Sequence, residues 1–420
     1  MMITTLRAAR TNGAFKHLLP LLPLCIIVAL FVISCNTGND DVSEVPPPDS
    51  VSTVTDSVAK KKSTKLNEEG IDTTTFHVSD TTITLKNQDF PAVSGKVVNV
   101  MITGVDSRLG DPMGHADANH LLRFWLDSGC VEIISIPRDT YFDAGFEDST
   151  GLNKLTNVRA NRGRTTYLKA ICEIVGVPKI DYYVEFGFSQ AIGLLELLGY
   201  KENASGTLRV LRSRQAYSAG DFQRVYNQGQ FIRQALLRNF ERTDGFLGEV
   251  AIRAALMLVE TNMSYSDADN ILTSLRNRGF GNDNAKVWVR LKPAVISKMK
   301  VYDFDEENVN EINKQISHKI HRLGLDSIKI TEETYEKKLA KLLDRASADS
   351  AKSPASVVRL LKRPYDQRAW LQITDRDRRA QYRNRLCGLL SNAYSRVKNP
   401  AAAQKILDYM KIEEQASAAE

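Results

Sequence analysis

Acids and guanidinium groups recur just past short apolar runs in this 420-residue chain. "VVNVMI" reads as a buried strand, and Asp106 and Arg108 follow it in "TGVDSR". Asp117, in "GHADANH", stands just ahead of the next apolar run. Arg138 and Asp139 follow "VEIISIP", where Pro137 must end a strand because it has no N–H for the ladder. "TLRVL" reads as another strand, with Arg212 and Arg214 after it, two apart and so on one side if extended. A helix opening near Asp221 carries Asp221, Arg224 and Gln228 at i, i+3 and i+7. Phe222, Val225, Gly229, Ile232 and Leu236 repeat that spacing on the other side, as a face that docks on a sheet.

These residue types suit phosphate chemistry. Carboxylate oxygens are hard donors for Mg²⁺, which takes one or two of them plus substrate phosphates. Guanidinium forks match phosphate oxygens in pairs and keep their charge. Phosphoryl transfer is catalysed mainly by positioning and neutralisation, which this inventory supplies. The sequence has no Walker A loop and no HExxH, so nucleotide-hydrolase and zinc-protease readings lack support. The plainer readings are a polar helix stripe facing water, Asp221 as a helix N-cap, and Arg138 with Asp139 as a surface ion pair.

Strands interleaved with helices must position these groups. "LLRFWLDSGCVEIISI" is two strands joined at Asp127-Ser128-Gly129. "TTYLKAICEIVG" places Leu168, Ile171, Cys172 and Val175 on one helical face before Gly176 and Pro178. "YYVEF" is a strand and "SQAIGLLELLG" a helix closing at Gly199. The pattern predicts a layered α/β domain over residues 96–295, and such sheets bind ligands outside strand ends. Residues 296–420 read as charged amphipathic helices, either a small domain or an extension packed on the first. His318 and His321 share a helix face there and read as a solvated pair.

The N-terminus carries Arg7, Arg10 and Lys16, then an uncharged run from Leu18 to Ile33. Residues 1–35 are therefore a signal peptide or membrane anchor, with "VISC" making Cys35 a lipidation candidate beside an uncleaved helix. Both readings tether the chain to the membrane and put the remainder on the extracytoplasmic, periplasmic side. Residues 36–95, rich in Ser, Thr, Asp and Lys, read as a flexible linker in which "HVSDTTITL" is a local strand. The net charge of +6 is mild for this length, and 43% hydrophobic with 25% charged residues is globular. The five cysteines show no CxxC or zinc spacing, so the chain relies on its core. No nucleic-acid partner is expected of an exported chain; a DNA-binding regulator is a further reading, and it requires cytoplasmic exposure.

"VVNVMITGVDSR", "ADA" with Asp117, "VEIISIPRDTYF", "VPKIDYYVEFGFSQAIGLLELLG", "LRSR" and "GDFQRVYNQGQFIRQAL" occur in family order. Together they resemble the LytR-CpsA-Psr family of envelope phosphotransferases, over roughly residues 96–295. The resemblance implies an α/β/α sandwich around a mixed central sheet, with an N-terminal membrane tether and a helical C-terminal extension. It implies transfer of a phosphoglycan from a polyprenyl-pyrophosphate carrier to peptidoglycan or another envelope acceptor, with Mg²⁺ or Mn²⁺ as cofactor. It assigns Asp106 and Asp117 as metal ligands and Arg138, Arg212, Arg214 and Gln228 as pyrophosphate contacts. Asp221 and Arg224 then lie near the same phosphates, and Arg108, His115, Asp139 and Lys154 are further substrate-binding candidates. It also implies an apolar lipid pocket walled by the helices at 166–175 and 188–198.

Three departures stand out. His115-Ala116-Asp117-Ala118 replaces the family's Arg-Ser-Asp-Thr, Asn227-Gln228-Gly229 replaces Arg-Gln-Gln, and "NKLTN" with Lys154 meets the family's Lys-Ile-Asn only loosely. Hydrolysis of the same lipid, or non-catalytic binding of a lipid-linked glycan, are the alternatives to transfer.

Overall fold

The structure is a computed structural model that describes residues 78–84, 90–107, 109, 114–200, 203–213, 220–281, 283–294, 298–322 and 332–418. The expected tether, including Cys35, lies outside the described residues.

Among the described residues, the central sheet has six strands: β2 (Val97–Asp106), β3 (His115–Trp125), β4 (Cys130–Ser135), β5 (Tyr182–Phe186), β6 (Glu260–Thr261) and β7 (Val287–Leu291). Their order is β6-β5-β2-β3-β4-β7. β2 is antiparallel to β3 and parallel to β5, while β4 is antiparallel to β3 and parallel to β7, so the sheet is mixed. β2 is buried from Asn99 to Val105 because helices cover both its faces. Met101, Leu121 and Ile134 pack on Val158 and Ile171 of α1 (Leu155–Val175). On the other face Val100, Ile102, Leu122 and Ile133 pack with α2 (Phe188–Leu197), α3 (Ala204–Arg212) and α4 (Gly220–Asn239). The layered α/β arrangement expected from the sequence is present.

Two local expectations change. α1 begins at Leu155, well before the periodic stretch at 168–175, and Gly163 at φ 78° kinks it. "TLRVL" is part of helix α3, not a strand. Its buried residues Ala204, Thr207, Leu208 and Leu211 fall at i, i+3, i+4 and i+7, a helical spacing that outweighs two β-type side chains. Arg212 thus closes a helix.

The chain continues through α5 (Gly245–Leu258), α6 (Tyr265–Asn277), β8 (Lys298–Tyr302), α7 (Glu306–Arg322), α8 (Glu332–Asp349), α9 (Pro354–Asp366), α10 (Arg376–Arg396) and α11 (Pro400–Ala418). β8 pairs antiparallel with β1 (Val78–Thr84), the local strand expected in "HVSDTTITL". This ribbon is fastened to α4, where Gln223 accepts from the Lys300 amide at 2.9 Å and donates to its carbonyl at 2.8 Å. The C-terminal helices share the core that starts at Val100, through Leu339, Leu361, Trp370, Leu390 and Tyr409. Polar clasps hold them against α2 and α5: Arg379 with Glu196 at 2.7 Å, Gln372 with Ser189 at 2.7 Å, and Arg368 with the Met257 carbonyl at 2.6 Å. Among the described residues no helix is long and apolar enough to cross a membrane.

Candidate active site

The strand directions bring the acids and arginines to one edge of the sheet. β2, β4 and β5 end there and antiparallel β3 begins there. Asp106, His115, Asp117, Arg138 and Asp139 therefore share a rim. A β-bulge shapes it: the register steps from Gly104–Ala118 to Val105–Ala116 and leaves Asp117 as the extra residue of β3. Bulges re-aim side chains. Here Asp117, 1% exposed, turns so that its Oδ1 accepts from Arg138 Nη1 at 2.7 Å and from Thr156 Oγ1 at 3.3 Å. Thr156 lies in the first turn of α1, where the helix dipole also favours an anion.

Arg138 is held in the charged state. Burial works against its charge, but Asp117, Asp139 and Asp221 outweigh burial and raise its pKa. The field of Asp221 reaches Arg138 from α4, across the rim. Asp139 is a looser neighbour, 3.9 Å from Arg138 and 3.7 Å from Lys154 Nζ, so a simple Arg138–Asp139 surface pair does not describe this arginine.

Arg224 and Gln228 of the α4 polar stripe are buried and Asp221 is partly so, contrary to the reading in which the stripe faces water. Arg224 is 1% exposed and pairs with Asp221 at 2.5 Å. Gln228 is fully buried as well, within the protein and off the cleft surface. Its Nε2 donates to the Leu211 carbonyl at 3.2 Å, so its Oε1 must accept, and His120 Nε2 lies 3.2 Å from it. That fixes the His120 proton on Nε2 and makes Nδ1 the acceptor for Ser135 Oγ at 2.8 Å. Burial, reinforced by Arg224 and opposed by the Gln228 bond, pushes the His120 pKa down to about 3. The imidazole is a neutral strut linking β4, β3, α4 and the end of α3. Reading the sequence missed His120 and Thr156; the only signal was a lone histidine inside an apolar strand.

Arg212, at the last position of α3, stacks its guanidinium 4.9 Å from the centroid of Phe188, the first residue of α2. α2 opens directly after β5 at the same rim, and a Cβ at Gly187 there would force the Ser107 hydroxyl to move. Exposed His115 opens β3 opposite Asp106. Phe222, expected on the docking face of α4, is 39% exposed. Arg108 and Arg214 lie outside the described residues.

The departures at 227 and 229 have packing causes. A Cβ at Gly229 would stand 2.5 Å from Ser135 Oγ and 2.6 Å from Val289 Cγ1, so α4 approaches the sheet too closely for glutamine. Asn227 is buried and accepts from Gln223 Nε2 at 2.7 Å.

Among the described residues no group of three or more His, Cys, Asp or Glu could hold a metal by itself. Asp106 and Asp117 stand on adjacent strands at the rim, where Asp117 already spends Oδ1 on Arg138 and Thr156.

Residues 51–198 match the model of the LytR_cpsA_psr family. No curated protein matches the chain. Among solved structures it aligns with TagV of B. subtilis at 16% identity, covering 55% of this chain and 99% of that one with a TM-score of 0.39. Lin1025 of Listeria innocua aligns at 18% identity over 54% of this chain and 99% of that one, TM-score 0.35. An Enterococcus faecalis protein described as a transcriptional regulator aligns at 16% identity over 55% and 94%, TM-score 0.37.

Proposed function

We propose, from the match of residues 51–198 to the LytR-CpsA-Psr family model, that the chain is an envelope phosphotransferase of that family. The donor is a phosphoglycan on a polyprenyl-pyrophosphate carrier and the acceptor is peptidoglycan or a similar envelope glycan. The reaction takes place on the extracytoplasmic face of the membrane, to which the N-terminus tethers the chain.

One observation carries this reading: the bulged Asp117 grips Arg138 at 2.7 Å on the edge where the field of Asp221 also arrives. A guanidinium held at a sheet rim by a buried acid is oriented before substrate comes. It therefore stabilises charge developing on the pyrophosphate with little reorganisation. The acceptor hydroxyl forms its O–P bond at the glycan-proximal phosphorus as the anhydride P–O bond breaks, its proton passes to solvent, and polyprenyl phosphate departs. Arg138 meets the phosphate oxygens, and Arg212, stacked on Phe188 at the same rim, adds a second guanidinium. Asp221 and Arg224 fix the α4 side, and Gln228 acts from the interior by holding α3 and α4 in register. His115, Asp139 and Lys154 bound the glycan side of the rim. Mg²⁺ bound at Asp106 and Asp117 would neutralise phosphate charge.

The test incubates the purified full chain in detergent with a polyprenyl-pyrophosphate glycan, peptidoglycan fragments and Mg²⁺. The expected products are acceptor-linked glycan and polyprenyl phosphate, both lost on chelation. Carrier that binds normally yet is never turned over would contradict transfer, and release of free phosphoglycan without need of acceptor would reassign the chain as a hydrolase.

A further inference from the structure

Away from the rim, the α1 side of the sheet holds a second polar constellation. Strand alternation puts Arg123 and Trp125 of β3, Glu132 of β4, and Trp288 and Arg290 of β7 on this one face. Glu132, its side chain 5% exposed, takes Arg123 Nη1 at 2.9 Å on Oε2 and Arg290 Nε at 3.0 Å on Oε1. Each guanidinium lies over an aromatic ring, Arg123 4.7 Å from Trp125 and Arg290 4.1 Å from Phe90. The two cations are thus locked side by side. With Lys292 they line a cavity of about 360 Å³ that Trp125 and Trp288 also border. Three cations there face one carboxylate, whose two oxygens are both engaged.

The remaining hydrogen-bonding capacity is all of one kind. The indole N–H groups of Trp125 and Trp288 are shielded from solvent and meet no acceptor among the described residues, although Trp288 is only 8% exposed. A buried donor without an acceptor is costly. Excess positive charge beside unmatched donors calls for a ligand that brings negative charge and acceptor oxygens.

We propose that this cavity is an oxyanion site, separate from the rim, that takes a carboxylate or phosphate group. The proposal stands independently of the transferase reading. Trp125 and Trp288 are two of the chain's three tryptophans, so intrinsic fluorescence reports on the site. The full chain is titrated with inorganic phosphate, with acetate and with neutral glucose, at constant ionic strength. A saturable change with phosphate or acetate and none with glucose is expected, and the stronger of the two anions names the source. Arg290→Gln and Arg123→Gln should each weaken binding at least tenfold, and Trp288→Phe about threefold. Arg138→Gln, at the rim, should leave the titration unchanged, with circular dichroism confirming that each variant folds. An equal response to glucose, no saturable response to either anion, or loss of the response in Arg138→Gln with retention in Arg290→Gln would each overturn the assignment.

Discussion

Asp117 and Arg138 act as one unit. An acid that is 1% exposed is tolerable only with a partner, and Arg138, its side chain 24% exposed, is that partner. Asp117→Ala leaves the guanidinium without its main counter-charge. Because Arg138 keeps some solvent, the expected loss is about 2 kcal/mol, below the 3–5 kcal/mol of a fully buried broken pair, read from urea midpoints at pH 7. His120 makes a different prediction. Its folded pKa of about 3 lies below the unfolded value of 6.5, so between those values only the unfolded chain takes up the proton. Stability from this group is complete above pH 6.5 and falls as the pH drops toward 3, by up to about 1.4 kcal/mol per pH unit. His120→Gln should flatten that slope in urea titrations from pH 7 to 4; an unchanged slope would mean the imidazole is not held neutral. The rim acids and arginines were legible in the sequence because each follows or precedes an apolar run. His120 was not, since its partners come from β4 and α4 and meet only in the folded chain.

At the scale of elements, α4 decides whether the site exists. It brings Asp221 to Arg138 only because Gly229 lets its backbone settle against Ser135 and Val289. Gly229→Ala is expected to destabilise by about 1–3 kcal/mol through overpacking, despite alanine's higher helix propensity. Equilibrium unfolding checks this; a stabilised variant would show that the contact relaxes freely. The α4 stripe was visible as spacing, but spacing does not say whether a polar stripe faces water or a sheet. α3 was misread for a related reason: Thr207 and Val210 look β-like locally, while the docking of Ala204, Thr207, Leu208 and Leu211 as one face exists only against the core.

The whole molecule is expected to unfold as one cooperative body. A continuous apolar cluster runs from Val100 on β2 to Tyr409 on α11, so the apolar packing of the C-terminal helices is joined to that of the sheet. A single unfolding transition is expected by near- and far-ultraviolet circular dichroism. A chain cut after residue 322 should expose the outer faces of α2 and α5 and aggregate on size exclusion; a soluble monomer with an intact transition would refute the shared core. The amphipathic pattern of residues 296–420 announced helices but not their docking partner, because periodicity records which face is apolar and not what covers it. The expectation of an extension packed on the α/β layers was one of two open readings. The clasps of Arg368 and Arg379 on α5 and α2 favour it.

The most direct test of the phosphotransfer account compares the wild-type chain with Arg138→Gln in transfer of phosphoglycan from a polyprenyl-pyrophosphate carrier, at matched folded fractions. A fall in kcat of at least about 100-fold is expected, the scale of losing one preorganised charge donor at the reacting phosphate. A variant that folds and transfers at the wild-type rate would contradict the role given to the rim.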